Sequence, residues 1–288
     1  MTDLPFTGER FIPGTRGEIW IEHWHRYHFA SRWARGLRVL DIACGEGYGT
    51  AFLARHAAHV VGVDVSRQAI EHAKRSYSGV GSVEFKVGSC TAIPVPDASI
   101  DVAISFETVE HIREQDEFMA ELARVLKPEG VVILSCPNKA EYTDKRGTEN
   151  EFHVKELYRE ELAELVRRRF AHSTWYGQKP SFYSVIAPEG AAAASGELVE
   201  VNEKAPDRGE PHLASPLYFI LVAGRDRTAV EGVPPVISVF ADHDDWAYND
   251  WFRVTRENWA NEKRVKELER GQGVVRRWWS WLQVKLAR

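Results

Sequence analysis

Short apolar runs alternate along this chain with longer segments whose apolar residues recur every three or four positions. Arg38 to Ala43 (RVLDIA), His59 to Val65 (HVVGVDV), Val83 to Val87, Ile100 to Ser105 and Val131 to Ser135 have strand length and are mostly apolar, so they read as buried strands. Between them, residues 47–58, 66–77 and 116–126 read as helices. Ser66 stands at an N-cap position, and Pro128 and Gly130 follow the third helix. Strands alternating with helices at this spacing predict a parallel sheet with helices on both faces. Right-handed crossovers then bring every strand's carboxyl end to one edge, where such sheets bind ligands.

The flanks read differently. Residues 1–17, rich in Gly, Pro and Thr, form an irregular arm, and residues 18–35 read as a helix carrying Ile19, Trp20, Trp24, Tyr27 and Trp33. A further helix is expected over 154–170 and a closing strand over 216–223. A mobile insertion is expected at 187–214, where Ala, Gly, Glu and Pro dominate. The expected organisation is an N-terminal arm and lid helix (1–35), a central domain (36–223), and a linker with a C-terminal helical extension (224–288).

Composition narrows the function classes. The 42 acidic residues outnumber the 37 basic ones, which argues against a partner recognised through a phosphate backbone, so no nucleic acid is expected. Cys44, Cys90 and Cys136 form no paired motif, so neither a disulfide framework nor a structural zinc site is expected, and a reducing cytoplasm fits. The N-terminus lacks the pattern of a signal peptide, and no apolar stretch approaches the ~18 residues of a membrane span.

The most informative segment is Val39 to Gly49 (VLDIACGEGYG), a buried strand running into a glycine-rich turn and then a helix. Glycines there let the backbone approach a ligand closely. Asp64, at the end of the second strand, can accept from ribose hydroxyls. Asp41 sits just before the turn, where a carboxylate suits a cationic ligand and would repel a pyrophosphate. The turn also lacks the full dinucleotide spacing. Asp41 to Gly49, with Asp64, Gly88-Ser89-Cys90, Ile93 to Asp97, Asp101 to His111 and Leu126 to Gly130, resembles the motif set of class I S-adenosylmethionine-dependent methyltransferases across roughly residues 36–138. The resemblance implies a Rossmann-like α/β fold with a mostly parallel seven-stranded sheet. It implies that Asp41, Gly45, Glu46 and Gly47 line the methionine part of S-adenosyl-L-methionine. Asp64 and Val65 would flank the ribose, Ser89 and Cys90 the adenine, and Phe106 would cover the cofactor. Serine stands at 89 where the family often has Asp, so adenine would be held without charge assistance.

Phe6 to Phe11, Glu22 to Tyr27, Asn138, Tyr142 and Phe152 to Leu157 resemble a subgroup of these enzymes associated with bacterial polysaccharide and O-antigen assembly. This implies a carbohydrate or glycolipid-linked acceptor. Arg26 is a candidate partner for the methionine carboxylate, its alternative being a surface arginine on an amphipathic helix. Methyl transfer to a hydroxyl benefits from a base, and His111 and His153 are the candidates as base or acceptor-orienting group, with helix packing as their alternative. Glu107 and Glu110 either meet the acceptor or line the rim. Lys139, Lys145, Arg146 and Lys155 supply positive charge that would suit a phosphorylated acceptor. No metal cluster is evident. A methyltransferase for a quinone or natural product, and a non-catalytic cofactor-binding scaffold, remain as alternatives.

Six of the ten tryptophans follow residue 245. Residues 274–288 (VVRRWWSWLQVKLAR) hold four basic residues and no acid. On a helix they put Val275, Trp278, Trp279, Leu282 and Leu286 on one face. That pattern is expected to serve contact with the inner membrane face or a partner protein, self-association into a homo-oligomer, or intradomain packing.

Overall fold

The computed structural model describes residues 17–181, 200–202, 205–210, 213, 215–242, 244–264 and 266. In chain order the elements are α1 (Glu18–Ala34), β1 (Arg38–Ile42), α2 (Tyr48–Leu53), β2 (His59–Asp64), α3 (Arg67–Ser76), β3 (Val83–Val87), β4 (Ile100–Phe106), a 3-10 turn (Val109–His111), α4 (Gln115–Val125), β5 (Leu126–Pro137), a π-helical turn (Ala140–Asp144), α5 (Arg159–Arg167), β6 (His172–Gln178), β7 (Glu200–Asn202), β8 (Ala205–Glu210), β9 (Tyr218–Gly224) and α6 (Arg227–Glu231).

The main sheet has seven strands in the order β3-β2-β1-β4-β5-β9-β6. β1 to β5 run parallel, and β9 pairs antiparallel with both β5 and β6. The strand order reverses between β1 and β4, and a crevice opens at that point in such sheets. Side chains alternate between two cores, as the pleat requires. Val39, Val60, Val102, Ile104, Val131 and Ile133 pack with α1, α2 and α6 on one face. Leu40, Val61, Ala103, Val132 and Leu134 pack with α4 and α5 on the other.

The expected strands and helices are present, but α2 ends at Leu53 instead of running to 58, and four further differences have physical content. β5 starts directly after α4 and takes in Pro128 and Gly130, which sit at a register shift against β4 rather than in a loop. α5 begins at Arg159, not 154: Val154 and Lys155 donate to the Glu110 carbonyl (2.8 and 2.9 Å) and Leu157 bridges Asn138 in parallel, so this stretch is tied to its neighbours before the helix starts. β6 has no apolar run to announce it, being a half-exposed edge strand (HSTWYGQ). Within the expected mobile insertion, β7 and β8 pair antiparallel; most of the rest of it lies outside the described residues.

The chain divides into two compact units, Met1–Val239 and Phe240–Arg288. In the second, residues 246–264 are helical and expose Tyr248, Trp251, Phe252 and Trp259. Residues 274–288, and with them the expected membrane or partner contact, lie outside the described residues. Among those described, no helix is long and apolar enough to cross a membrane.

Candidate active site

The glycine turn joins β1 to α2 at the carboxyl edge of the sheet. It requires left-handed backbone at Gly45 (φ 55°) and Gly47 (φ 88°), and Ala43 also adopts positive φ (60°), a strained conformation for a residue with a Cβ. A Cβ on Gly45 would meet nothing within 4 Å, so that position faces open space. One on Gly47 would strike the Phe85 ring. Asp64 shapes the turn: Oδ2 accepts from the Gly45 N–H (2.9 Å) and Oδ1 from the Ser66 N–H (2.8 Å). Glu46 is buried with its carboxylate 3.4 Å from His72 Nε2, whereas Val65, next after Asp64, is 76% exposed.

Asp41 is buried under the turn. Thr50 Oγ1 donates to its Oδ2 at 2.6 Å, and the Tyr27 hydroxyl donates to Oδ1 at 3.2 Å. Burial pushes its carboxyl up to about 7, against the lowering effect of those two bonds. Tyr27 also packs edge-on against Tyr48 and Phe106, so α1 roofs this end of the sheet. Ser89 Oγ bonds Thr91 Oγ1 (2.8 Å) and accepts from the Thr91 N–H, and Cys90 is half-buried against the core. All three cysteines are free thiols.

Arg26 is not the surface arginine of the alternative reading. It is 1% exposed. Its Nε donates to Gln178 Oε1 (2.7 Å), its Nη1 lies 3.6 Å from Glu107, and its guanidinium stacks on Tyr218 at 4.3 Å. Both terminal nitrogens lack a hydrogen-bond partner among the described residues, leaving donors for an anionic group. Neighbouring Glu22 is buried, and burial raises its carboxyl to about 7 despite Arg26. Glu107 holds positive φ (49°) at the end of β4 and accepts from Ser135 Oγ (2.6 Å).

The two candidate histidines come together. His111 and His153 are 42 residues apart in sequence, yet their ring centroids stand 4.9 Å apart, edge to face. His111 Nδ1 faces the Phe152 carbonyl (2.9 Å), which can only accept, so that nitrogen carries a proton and Nε2 is the acceptor of the neutral ring. His153 Nδ1 faces the Glu156 carboxylate (2.6 Å) with the same consequence. Asn150 confirms it: its Oδ1 accepts from the Phe152 N–H, which turns Nδ2 toward His153 Nε2 (3.0 Å) as donor. Tyr142 stacks on His153. Glu110 is not at a solvated rim, being 1% exposed with neither carboxylate oxygen hydrogen-bonded among the described residues.

A cavity of about 350 Å³ lies beside this pair, lined by Tyr142, Arg146, Thr148, Glu149 and Asn150 among others. Of the loop cations, Arg146 lines it, whereas Lys145 pairs with Glu141 and Lys139 stacks on Tyr158. The partners of these groups escaped the sequence reading. Strand order alone brings Gln178 of β6 and Tyr218 of β9 to Arg26; Thr50 meets Asp41 across the turn, Tyr27 reaches it from α1, and Asn150 and Glu156 stand three residues either side of His153, pairings that only the path of the chain reveals.

Residues 40–134 match the family described as "Methyltransferase domain". A Mycobacterium tuberculosis protein described as a "Probable S-adenosylmethionine-dependent methyltransferase" is 36% identical over 242 residues, 78% of this chain and 85% of its own length. A Mycolicibacterium smegmatis protein of like description is 39% identical over 170 residues, which span 57% of this chain and 63% of that protein. The PH0226 protein of Pyrococcus horikoshii shares the fold, with a TM-score of 0.51 and 20% identity over 73% of this chain and 92% of that one. The glycine turn, its two aspartates and this relatedness over most of the chain agree, and the protein belongs to the S-adenosylmethionine-dependent methyltransferases, enzymes that take S-adenosyl-L-methionine as cofactor.

Proposed function

We propose that this methyltransferase transfers methyl to an oxygen of a carbohydrate or phosphorylated glycan, an intermediate of cell-surface polysaccharide assembly. The observation that carries the reading is the polar cavity beside His111 and His153. A quinone or phenol would want an apolar cleft. This one offers hydroxyl, amide, carboxylate and guanidinium groups from Tyr142 to Asn150.

The residues present fit the cofactor. Gly45 leaves open the space a Cβ would fill, and the Arg26 terminal nitrogens have donors to spare for a carboxylate. Gly45, Glu46 and Gly47 would cradle its amino-acid part, with Asp41 beneath them. Asp64 and Val65 would hold the ribose, Ser89 and Cys90 the adenine, and Phe106 would cover it. When bound, the cofactor supplies an electrophilic methyl group on a sulfonium, a leaving group that needs no acid.

The protein's own task is alignment and proton handling. Positioning of the acceptor oxygen can supply much of the barrier reduction. An Nε2 lone pair on a neutral imidazole suits removal of a hydroxyl proton near neutral pH. Arg146 would hold a phosphate if the acceptor carries one. The test is transfer of labelled methyl to phosphorylated, unphosphorylated and lipid-linked oligosaccharides beside quinones and phenols. Label is expected on a glycan, and label confined to an aromatic acceptor would overturn the substrate class.

A further inference from the structure

We propose that Glu110, His111 and His153 form a binding site for one divalent first-row metal cation beside the cavity lined by Tyr142 and Asn150. One carboxylate oxygen of Glu110 and one ring nitrogen each of His111 and His153 lie within 4.8 Å of one another. Two imidazoles and one carboxylate are a donor set suited to such ions.

The surroundings carry the case further than proximity. Metal-binding histidines characteristically donate the other ring N–H to a carboxylate or a carbonyl, which fixes the tautomer and aims the lone pair. Both histidines are arranged this way, His153 on Glu156 and His111 on the Phe152 carbonyl. The backbone beneath is doubly pinned. Val154 and Lys155 donate to the Glu110 carbonyl, and Gln115 Nε2 bridges the Val109 and Lys155 carbonyls at 2.8 and 3.0 Å. Two segments distant in sequence are thus locked together where their side chains converge, as a preorganised site requires.

Glu110 supplies the second, independent sign. A buried carboxylate with no hydrogen bond is costly, and native proteins rarely keep one without compensation. The nearby guanidinium of Arg26 spends its Nε on Gln178 and makes no hydrogen bond to Glu110 among the described residues. His111 Nε2 lies 3.9 Å from Glu110 Oε1, too far for a hydrogen bond but close enough for both to reach one ion. With metal–ligand bonds of about 2.0–2.2 Å, adjacent donor atoms stand roughly 3 Å apart, so side-chain rotations of about 1 Å close the set. A cation would take the His153 lone pair that Asn150 now occupies.

The use of the ion rests on the proposed function: with the lone pairs of both histidines spent on it, the bound cation would replace the histidine base, holding acceptor oxygens and lowering the pKa of a hydroxyl. Its binding does not rest on that reading. The test is therefore made on the full chain without any acceptor. Chelator-stripped protein is titrated with Co²⁺, followed by visible absorption and calorimetry. One Co²⁺ per chain is expected. His111→Ala, His153→Ala and Glu110→Gln should each weaken it at least tenfold, and Glu156→Gln, which touches no metal, by about tenfold through the His153 tautomer. Unchanged affinity for S-adenosyl-L-methionine certifies that each variant is folded. No Co²⁺ binding by the native chain, or equal binding by Glu110→Gln and His111→Ala, overturns the site. Neither result bears on whether glycans are methylated.

Discussion

In the proposed reading Asp64 would use one carboxylate for two purposes. Its oxygens already hold the Gly45 and Ser66 N–H groups, and the ribose assignment asks them to accept from hydroxyls as well. A carboxylate has about four acceptor sites, so both demands can be met at once. Asp64→Ala removes all of them, and cofactor affinity is expected to fall 10- to 100-fold by calorimetric titration, since hydrogen bonds to a charged group are worth about 1.5–3 kcal/mol. Asp64→Asn keeps one acceptor oxygen and should fall between the two. Equal affinity in all three proteins would remove the ribose role. Asp64 was legible in the sequence because its work is local: a turn needs glycines, and the next strand's end supplies the acid. Glu110 was not legible in the same way. It stands among Glu107, His111 and Glu114, a string that looks solvent-facing, and only the return of residues 150–156 over it makes it buried.

At the scale of elements, β1, β2, β4 and β9 were readable because burial on both faces leaves a continuous apolar run. β6 was not, because an edge strand half in solvent shows no such run. The sequence marks α1 as a lid helix without naming what it docks on, and that docking hangs on a contact between two elements. A Cβ on Gly49, in the first turn of α2, would run into the Tyr27 ring of α1. Gly49→Ala therefore forces the helices apart, at an expected cost of about 2 kcal/mol in urea unfolding, the usual scale of overpacking. Tyr27→Ala alone should cost more, about 3–5 kcal/mol, as a buried aromatic lost from the core. In the double variant the alanine at 49 has room, so the combined cost should fall short of the sum by at least about 1 kcal/mol. Strict additivity would mean that α1 does not pack on α2 through this pair.

For the whole molecule, the carboxyl edge gathers more buried acid than the free protein can neutralise, and stability should register it. Asp41 and Glu22 both have their carboxyls raised to about 7, chiefly by burial, from ordinary values of 3.8 and 4.5. A group raised in the folded state holds its proton more tightly there than in the unfolded chain. Its stabilising contribution is fully present below the unfolded value near 4 and is lost as pH rises through about 7. Between pH 5.5 and pH 8 the Asp41 share of that loss is roughly 2 kcal/mol. Asp41→Asn cannot titrate, yet it can still accept from Thr50 and Tyr27. The native chain should thus lose roughly 2 kcal/mol more than Asp41→Asn over that interval, read from urea unfolding at the two pH values. Parallel pH profiles for the two proteins would show that Asp41 is already ionised in the free enzyme. The cofactor brings the opposite charge in its sulfonium and ammonium groups, so it favours the ionised carboxylate. Its affinity should therefore climb as pH passes through 7, with proton release on binding visible as a dependence of the calorimetric heat on buffer ionisation enthalpy. Asp41→Asn should diminish both, leaving only what Glu22 and other groups contribute, because in the proposed site a cationic ligand answering the buried Asp41 would couple cofactor binding to the stability of this sheet edge.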